Sequence, residues 1–303
     1  MDLVKSLIIL LKEFCSFVKN NMGRILKTLI FDGNISLSLI DSTDIVNEAI
    51  KYHKLTELTA AALGRTLTAS IFMASNLKNK GDKLSITVSG DGVGGHIIVS
   101  ADSELNVRGY IDNPNVNLPL KSNGKLDVKG CVGKGRITIT RSTGLKEPYT
   151  GSSEIISGEL AEDFSYYYAV SEQEPTAMAL GVKVKGGKCI GAGGVVIQTL
   201  PGCPDDVIFK AEELISGFND ISSKIEELGL EGIIEKYFSG NKFIKRCAQY
   251  NCICSKEYID SILISLGKKE VDDILKELNK IEVNCQYCDK KYVYYSDDVK
   301  HLF

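Results

Sequence analysis

The sequence has few of the residues and motifs on which enzymes commonly depend. It contains only three histidines, His53, His96 and His301, and they are widely separated. It has no G-x-S-x-G, no phosphate-binding P-loop and no H-E-x-x-H motif, so nothing points to a serine hydrolase, a nucleotide hydrolase or a zinc protease. Each histidine is better explained as a surface residue than as a base or a ligand. We therefore expect no catalytic residues and a protein that is not an enzyme.

A charge excess and a long apolar run near the start are also missing. The 303 residues carry a net charge of −3, which gives no overall attraction to nucleic acid or to an anionic membrane. The apolar run at residues 6–11 is too short to span a membrane and weak as the core of a signal peptide. We expect residues 1–22 to be an amphipathic N-terminal extension, disordered or not native, with Met22 as an alternative start.

Cysteine, by contrast, is plentiful. The nine cysteines are an odd number and mostly unpaired in sequence, which suits a reducing cytoplasm better than a secreted disulfide scaffold. We therefore expect a cytoplasmic protein. Five cysteines stand alone and are expected to be core or incidental thiols: Cys15, Cys131, Cys189, Cys203 and Cys247.

The other four cysteines form two tight pairs near the end of the chain. They are Cys252 and Cys254, a Cys-x-Cys, and Cys285 and Cys288, a Cys-x-x-Cys. Each spacing can place two sulfurs on one side of a loop, and four thiolates match the tetrahedral preference of Zn²⁺. Four buried small side chains or two ordinary disulfides are the simpler interpretations. An iron–sulfur cluster fits less well because the spacings match no ferredoxin pattern. We predict a zinc site.

The thirty residues between the pairs are typical of two short amphipathic helices. Apolar residues recur at i, i+3, i+4 and i+7, with helix-ending Gly267 and Asn279 after each series. About fifty residues bury too little apolar area to fold unaided, so we expect this module to fold only around its metal. Oxidation of the thiolates would then release the metal and expose both helices. The apolar series are Ile259, Ile262, Leu263 and Leu266, then Val271, Ile274, Leu275 and Leu278.

The remaining chain predicts an α+β fold with a mainly antiparallel sheet and packed helices. Strand-like and helix-like runs do not alternate regularly, which argues against a doubly wound sheet. We expect a core domain at residues 23–200, a helical linker at 201–250 and a Cys₄ zinc redox-switch module at 251–303.

Three local expectations follow within the core domain. Residues 55–77 should form a long helix whose small residues allow close packing on a sheet. The G-x-G-x-x-G pattern at residues 90–95 precedes a strand-like run, so we interpret it as a β-turn rather than a dinucleotide site. Ile155 and Ile156 are expected in a short strand.

Several short motifs keep a fixed order along residues 23–303. In this order, and with the two cysteine pairs, they resemble the bacterial redox-regulated heat-shock holdases, the 33 kDa chaperonins (heat shock protein 33). The motifs are Thr59-Ala60-Ala61-Ala62-Leu63-Gly64-Arg65-Thr66-Leu67-Thr68-Ala69, Gly109-Tyr110 with Asn113-Pro114, Gly133-Lys134-Gly135, Gly144-Leu145-Lys146-Glu147-Pro148-Tyr149, Ser171-Glu172-Gln173, Gly193-Gly194 and Ile264-Ser265-Leu266-Gly267.

The resemblance implies how the cysteine module would work. A reduced, inactive protein would hold one Zn²⁺ through Cys252, Cys254, Cys285 and Cys288. Oxidation with mild unfolding would form Cys252–Cys254 and Cys285–Cys288 disulfides and release the metal. The module and the linker would unfold, and apolar surface would bind unfolding client proteins without ATP. Active members dimerise, and no nucleic-acid or membrane partner is implied.

Two other functions stay open at this point. A thiol–disulfide oxidoreductase could use Cys285 and Cys288, and zinc-free reduced protein would then turn over disulfide substrates. A zinc-dependent nucleic-acid module would bind with steep salt dependence. Residues 251–303 hold ten acidic against eight basic residues, which argues against nucleic acid.

Overall fold

The structure is a computed structural model that describes residues 22–144 and 147–303. It divides into two compact units, one that ends at Tyr250 and one that spans Asn251–Phe303. The expected N-terminal extension lies outside the described residues, apart from Met22, which begins the first strand.

A ten-stranded sheet forms the centre of the first unit. In the sheet the strands lie in the order β7-β6-β3-β4-β5-β10-β1-β2-β9-β8. Every neighbouring pair is antiparallel except β5 and β10, which are parallel. The predicted α+β class with a mainly antiparallel sheet is confirmed. The strands are β1 (Met22–Ile30), β2 (Ile35–Asp41), β3 (Lys83–Gly90), β4 (Ile97–Asp102), β5 (Asn106–Ile111), β6 (Gly135–Ser142), β7 (Tyr149–Glu154), β8 (Thr176–Lys185), β9 (Lys188–Thr199) and β10 (Ile244–Tyr250).

Two helices, α1 (Thr43–His53) and α2 (Glu57–Ala74), cover one face of this sheet. Helix α2 begins where the Thr56 hydroxyl accepts a hydrogen bond from the Thr59 amide, which satisfies one of the free amides of the first turn. Its small residues permit a close approach to the sheet, because a Cβ on Gly64 would lie 2.9 Å from the Val182 side chain. The packing role predicted for residues 55–77 is therefore confirmed, although the helix ends at Ala74.

The glycine-rich segment at residues 90–95 is a tight turn that leads into β4. It lies against the short helix α3 (Val128–Val132). A Cβ on Gly90 would fall 1.8 Å from the Val132 carbonyl oxygen, so glycine is required there by contact with backbone. No helix begins after the turn, and its interpretation as a turn rather than a dinucleotide site is confirmed.

The strand predicted around Ile155 and Ile156 is wrong. Strand β7 ends at Glu154, and Ile156 is exposed. The reason is Asp163 in the helix α4 (Ala161–Tyr167), whose carboxylate accepts hydrogen bonds from the amides of Ile156, Ser157 and Leu160. The chain is therefore drawn into the start of this helix instead of continuing along the sheet. A π-helical turn at Tyr168–Glu172 follows the helix.

Two helices after β9 cover the opposite face of the sheet: α5 (Asp205–Ser216) and α6 (Ile221–Tyr237). The alternation of side chains in β2 separates the two faces, since Ile40 packs with α1 and α2 while Leu39 packs with α5 and α6. Helix α6 is kinked at Gly229, whose φ of 63° is left-handed. The helical pattern predicted from Asp205 to Phe238 is thus observed, with a turn between the two helices.

Residues 244–250 correct the expectation of a helical segment throughout 201–250. They form β10, which lies between β5 and β1 in the middle of the sheet. Its pairing extends from Met22 to Lys27 on β1 but covers only Asn106 and Val107 on β5. Only Ala248 of this strand is fully buried, so the apolar alternation that marks a strand is almost absent from its sequence.

The second unit combines two helices with a small hairpin. The helices are α7 (Lys256–Leu266) and α8 (Lys268–Leu278), as the periodicity predicted. The hairpin of β11 (Ile281–Asn284) and β12 (Lys291–Tyr294), followed by α9 (Ser296–Val299), was not predicted. Each long helix buries only part of its apolar series. Ile262 and Leu266 of α7 and Leu278 of α8 remain exposed. The buried core consists of Ile259, Leu263, Val271, Leu275, Ile281, Tyr292, Tyr294 and Val299.

Candidate metal centre

Two separate segments of the second unit carry the paired cysteines. Cys252 and Cys254 lie in the short extended segment between β10 and α7, and α7 begins where the Ser255 hydroxyl accepts from the Tyr258 amide. Cys285 and Cys288 lie in the turn that joins β11 to β12. This turn is held by the Cys285 amide, which donates to the Lys290 carbonyl over 2.9 Å. The hairpin and the start of α7 thus position both pairs.

The four sulfurs converge. The Sγ atoms of Cys252, Cys254, Cys285 and Cys288 all lie within 4.8 Å of one another. Cys252 is 3.5 Å from Cys285, and Cys254 is 3.3 Å from Cys288. Four sulfurs bound tetrahedrally to zinc at about 2.3 Å are separated by about 3.8 Å. The donor set and its spacing therefore fit a zinc ion held by four thiolates.

The thiols influence one another's ionisation. Burial opposes ionisation of Cys254, but the nearby Tyr292 hydroxyl and the other three thiols outweigh it and lower the pKa of Cys254 to about 7. Burial raises the pKa of Cys288 to about 11, and burial also raises the pKa of Cys252. Cys254 thus ionises more easily than Cys252 or Cys288, and a bound cation would favour the thiolate form of its ligands.

Tyr292 on β12 is a feature of this centre that the sequence analysis missed. Its side chain is buried in the core of the second unit, and Cys254 packs against that core. The Tyr292 hydroxyl has no hydrogen-bond partner of good geometry. A buried hydroxyl beside a sulfur cluster suits a cluster that carries negative charge, because the hydroxyl can then donate to it. The only sequence signal was the alternation of Tyr292 and Tyr294 shortly after Cys288.

The remaining described cysteines lie elsewhere. Cys131 and Cys189 are buried in the first unit, and burial raises their pKa to about 11 and about 12. Cys203 and Cys247 are partly buried, and Cys15 lies outside the described residues. Within residues 22–144 and 147–303, the paired cysteines are the only group of three or more potential metal ligands whose ligand atoms converge.

The histidines do not meet at a common site. His53 Nε2 lies 3.2 Å from the Tyr250 hydroxyl, and His96 Nδ1 lies 2.8 Å from the Asp112 carboxylate. His301 is exposed near the end of the second unit. Across the described part of the chain, none of the helices has the length and apolar character needed to cross a membrane.

Fold and centre together define a class: an antiparallel α+β protein with a separate module that carries four converging thiols. Comparison with known proteins makes the class specific. Residues 23–295 match the family model described as Hsp33 protein. The chain therefore belongs to the Hsp33 family, a family of heat-shock chaperones, and the resemblance seen in the sequence is confirmed.

Individual relatives cover most of the chain. The 33 kDa chaperonin of Ruminiclostridium cellulolyticum is 40% identical over 265 residues, which are 86% of this chain and 91% of the relative. The 33 kDa chaperonin of Bacillus cytotoxicus is 40% identical over 285 residues, 92% of this chain and 97% of the relative. The crystal structure of 33 kDa chaperonin from Thermotoga maritima has a TM-score of 0.83 at 33% identity, covering 92% and 97% of the two chains.

Proposed function

We propose that this chain is a redox-regulated, ATP-independent holdase and not an enzyme. In a reducing cytoplasm Cys252, Cys254, Cys285 and Cys288 would hold one Zn²⁺ and the protein would be inactive. Oxidation of the four thiols would activate it to bind unfolding client proteins as a homodimer, with no nucleic-acid or membrane partner. The observation that carries the proposal is the convergence of these four sulfurs within 4.8 Å in a member of a chaperone family.

The small core of the second unit supports a structural role for the metal. Helices α7 and α8 each bury only two side chains fully, and a core of this size rarely stabilises a module of about fifty residues. A bound zinc would join the loop before α7 to the β11–β12 turn and supply roughly 10–16 kcal/mol of apparent binding energy. Without that cross-link the module is expected to unfold.

The disulfide pairing decides whether oxidation loosens the module. Disulfides between Cys252 and Cys285 and between Cys254 and Cys288 would each close a long loop, because the joined residues are 33 and 34 positions apart in the chain. Such loops would stabilise the module by about 4 kcal/mol. We propose the pairing implied by the family, Cys252–Cys254 and Cys285–Cys288. Neither of these disulfides joins the two cysteine-bearing segments, so no covalent or metal cross-link remains between the segments once the metal has left. Each pair of zinc-bound thiolates that forms a disulfide gives two electrons to one peroxide molecule, which takes up two protons from the solvent and becomes two water molecules.

The linker of α5, α6 and the residues around them is the proposed source of client-binding surface. Phe218, Ile225 and Ile233 of this region are buried against the sheet. They cover Leu37, Leu39 and other apolar side chains of β1, β2, β8 and β9. Helix α5 buries only Ala211 fully, so it contributes little to its own attachment. Release of the linker would expose apolar side chains on both surfaces.

The two alternative functions receive less support. An oxidoreductase would use Cys285 and Cys288 as a separate pair, whereas their sulfurs converge with those of Cys252 and Cys254 within 4.8 Å as one group of four. A nucleic-acid module would be basic, whereas residues 251–303 are slightly acidic.

The decisive experiment measures zinc, thiols and client protection on the same samples. Reduced protein is treated with peroxide during gentle heating, while zinc content, free thiols and suppression of client aggregation are followed. Loss of one zinc and four thiols together with gained client protection is expected, and mass spectrometry should find Cys252–Cys254 and Cys285–Cys288. Zinc retained, zinc lost without client binding, or pairing between the segments would contradict the proposed switch.

A further inference from the structure

The two tyrosines of β12 share a core but differ in what their hydroxyls contact. The Tyr294 hydroxyl donates to the Asp260 carboxylate over 2.7 Å and lies 3.3 Å from the Lys256 carbonyl oxygen, so it ties β12 to α7. The Tyr292 hydroxyl has no hydrogen-bond partner of good geometry, although Tyr292 is buried and only 7% exposed. A buried hydroxyl without a partner costs stability, so packing alone does not explain why a tyrosine stands at position 292.

The surroundings of Tyr292 point to a sulfur as the missing partner. Tyr292 pairs with Val283 across the hairpin, two residues before Cys285. Cys254 packs against the same core, with its thiol beside the Tyr292 hydroxyl. A neutral thiol is a poor acceptor, whereas a thiolate is a strong one. The hydroxyl therefore gains a strong acceptor when Cys254 binds a metal as a thiolate.

We propose that Tyr292 is a positioning residue whose hydroxyl donates a hydrogen bond to the Cys254 thiolate, and that this bond strengthens metal binding and slows oxidation of the centre. The inference rests on the proposed zinc switch and adds a residue that sets its threshold. Hydrogen bonds from outer residues orient metal ligands and tune them. A donor to the sulfur also withdraws electron density from the atom that attacks peroxide.

The side chain of Lys290 strengthens this donor. Its Nζ lies 5.1 Å from the centroid of the Tyr292 ring, where a cation is attracted to the ring face. A nearby positive charge makes the phenol a better hydrogen-bond donor. Tyr294 has a comparable cation, Lys256, at 5.6 Å, so the two tyrosines differ chiefly in where their hydroxyls lie.

The test compares Tyr292→Phe with Tyr294→Phe in the full chain. Zinc affinity is measured by competition with a chelator, thiol loss is timed under peroxide, and the sulfur-to-metal charge-transfer band is recorded with Co²⁺ in place of zinc. For Tyr292→Phe we expect zinc affinity about 10–100-fold weaker, faster thiol loss and a charge-transfer band at longer wavelength. Tyr294→Phe should weaken the fold of the module but leave the band at its wild-type position.

The outcomes separate this inference from the proposed function. If the wild-type chain binds one zinc and is activated by oxidation, but Tyr292→Phe leaves the affinity and the Co²⁺ band unchanged, the role of Tyr292 is refuted while the switch stands. An equal band shift in both variants would mean that loosened packing, not the hydrogen bond, causes it. If the wild-type chain binds neither metal, both proposals are overturned.

Discussion

Helix α2 of the first unit and helices α7 and α8 of the second bury very different shares of their side chains. In α2, sixteen of eighteen residues are buried, whereas α7 and α8 each bury two of eleven. A helix buried on nearly all sides is stabilised by packing in a large core. The two more exposed helices lack that support, and the metal proposed to bind the four converging thiols next to them would supply it. Under the proposed function, the chain would combine a permanent core with a module whose stability is lost when its thiols are oxidised.

The largest expected effect comes from removing one sulfur. Cys254→Ser should abolish stoichiometric zinc binding, because a metal that supplies roughly 10–16 kcal/mol to such a module needs all four ligands. The module should unfold while the first unit stays folded, and client binding should rise without oxidant. Zinc content and amide hydrogen exchange in the two units would measure this.

Cys203→Ser is the matched control for that variant. Cys203 lies in the first unit, where its thiol is 3.7 Å from the Pro204 carbonyl oxygen. The Cys203→Ser protein should keep its zinc and remain inactive when reduced. A Cys254→Ser protein with wild-type zinc content would refute the four-ligand assignment.

A smaller effect is expected at the attachment of the linker. Phe218 lies between α5 and α6, is 1% exposed and stacks on Phe238 with ring centroids 5.9 Å apart. Phe218→Ala should destabilise the linker by about 3–5 kcal/mol, because it leaves a cavity. Client binding should then appear at lower oxidant or temperature, with zinc affinity unchanged, since the first unit alone is altered.

Phe209→Ala is the control that tests whether replacing any phenylalanine of the linker lowers the oxidant or temperature needed for client binding. Phe209 in α5 is 64% exposed, so its loss removes little buried area. If both variants lowered the activation temperature equally, the burial of Phe218 against the sheet would not be the contact that controls release of the linker.

The smallest effect concerns an ion pair between β1 and α6. Arg24 contacts both Glu231 and Asp41. Burial opposes ionisation of Glu231, but a backbone hydrogen bond and Arg24 outweigh it and place its pKa below the ordinary value. This stabilisation is therefore complete above the unfolded pKa of about 4.3 and is lost as pH falls through the lower folded value. Because the Glu231 side chain is 69% exposed, Glu231→Gln should cost less than about 1 kcal/mol.

Thermal unfolding of the first unit at pH 7 and at pH 3 would measure that difference. The gap between Glu231→Gln and wild type should shrink as the pH falls, because progressive protonation removes the carboxylate charge that the ion pair needs. A gap that grew on acidification would show that the ion pair with Arg24 does not explain the pKa shift.

Local spacing predicted the parts of this molecule that depend on neighbours in sequence. The cysteine pairs predicted the module, and the apolar series that begin at Ile259 and at Val271 predicted both of its helices. Strand β10 was missed because its burial is limited to Ala248, so its place between β5 and β1 comes from backbone pairing that leaves no apolar pattern. Tyr292 was missed for a related reason, since only the folded core shows that its hydroxyl lacks a partner.

The position of β10 has a consequence for how the protein would recover after stress. Strand β9 ends at Thr199 and β10 begins at Ile244, and both are integrated in the same sheet. The intervening segment is therefore anchored at each end even when its helices have detached. A detached segment with fixed ends explores far fewer conformations than a free tail, because its ends are already held together. The proposed return of α5 and α6 to the sheet would then need only local motion of the chain. A reduced chain could regain its resting state without refolding the sheet.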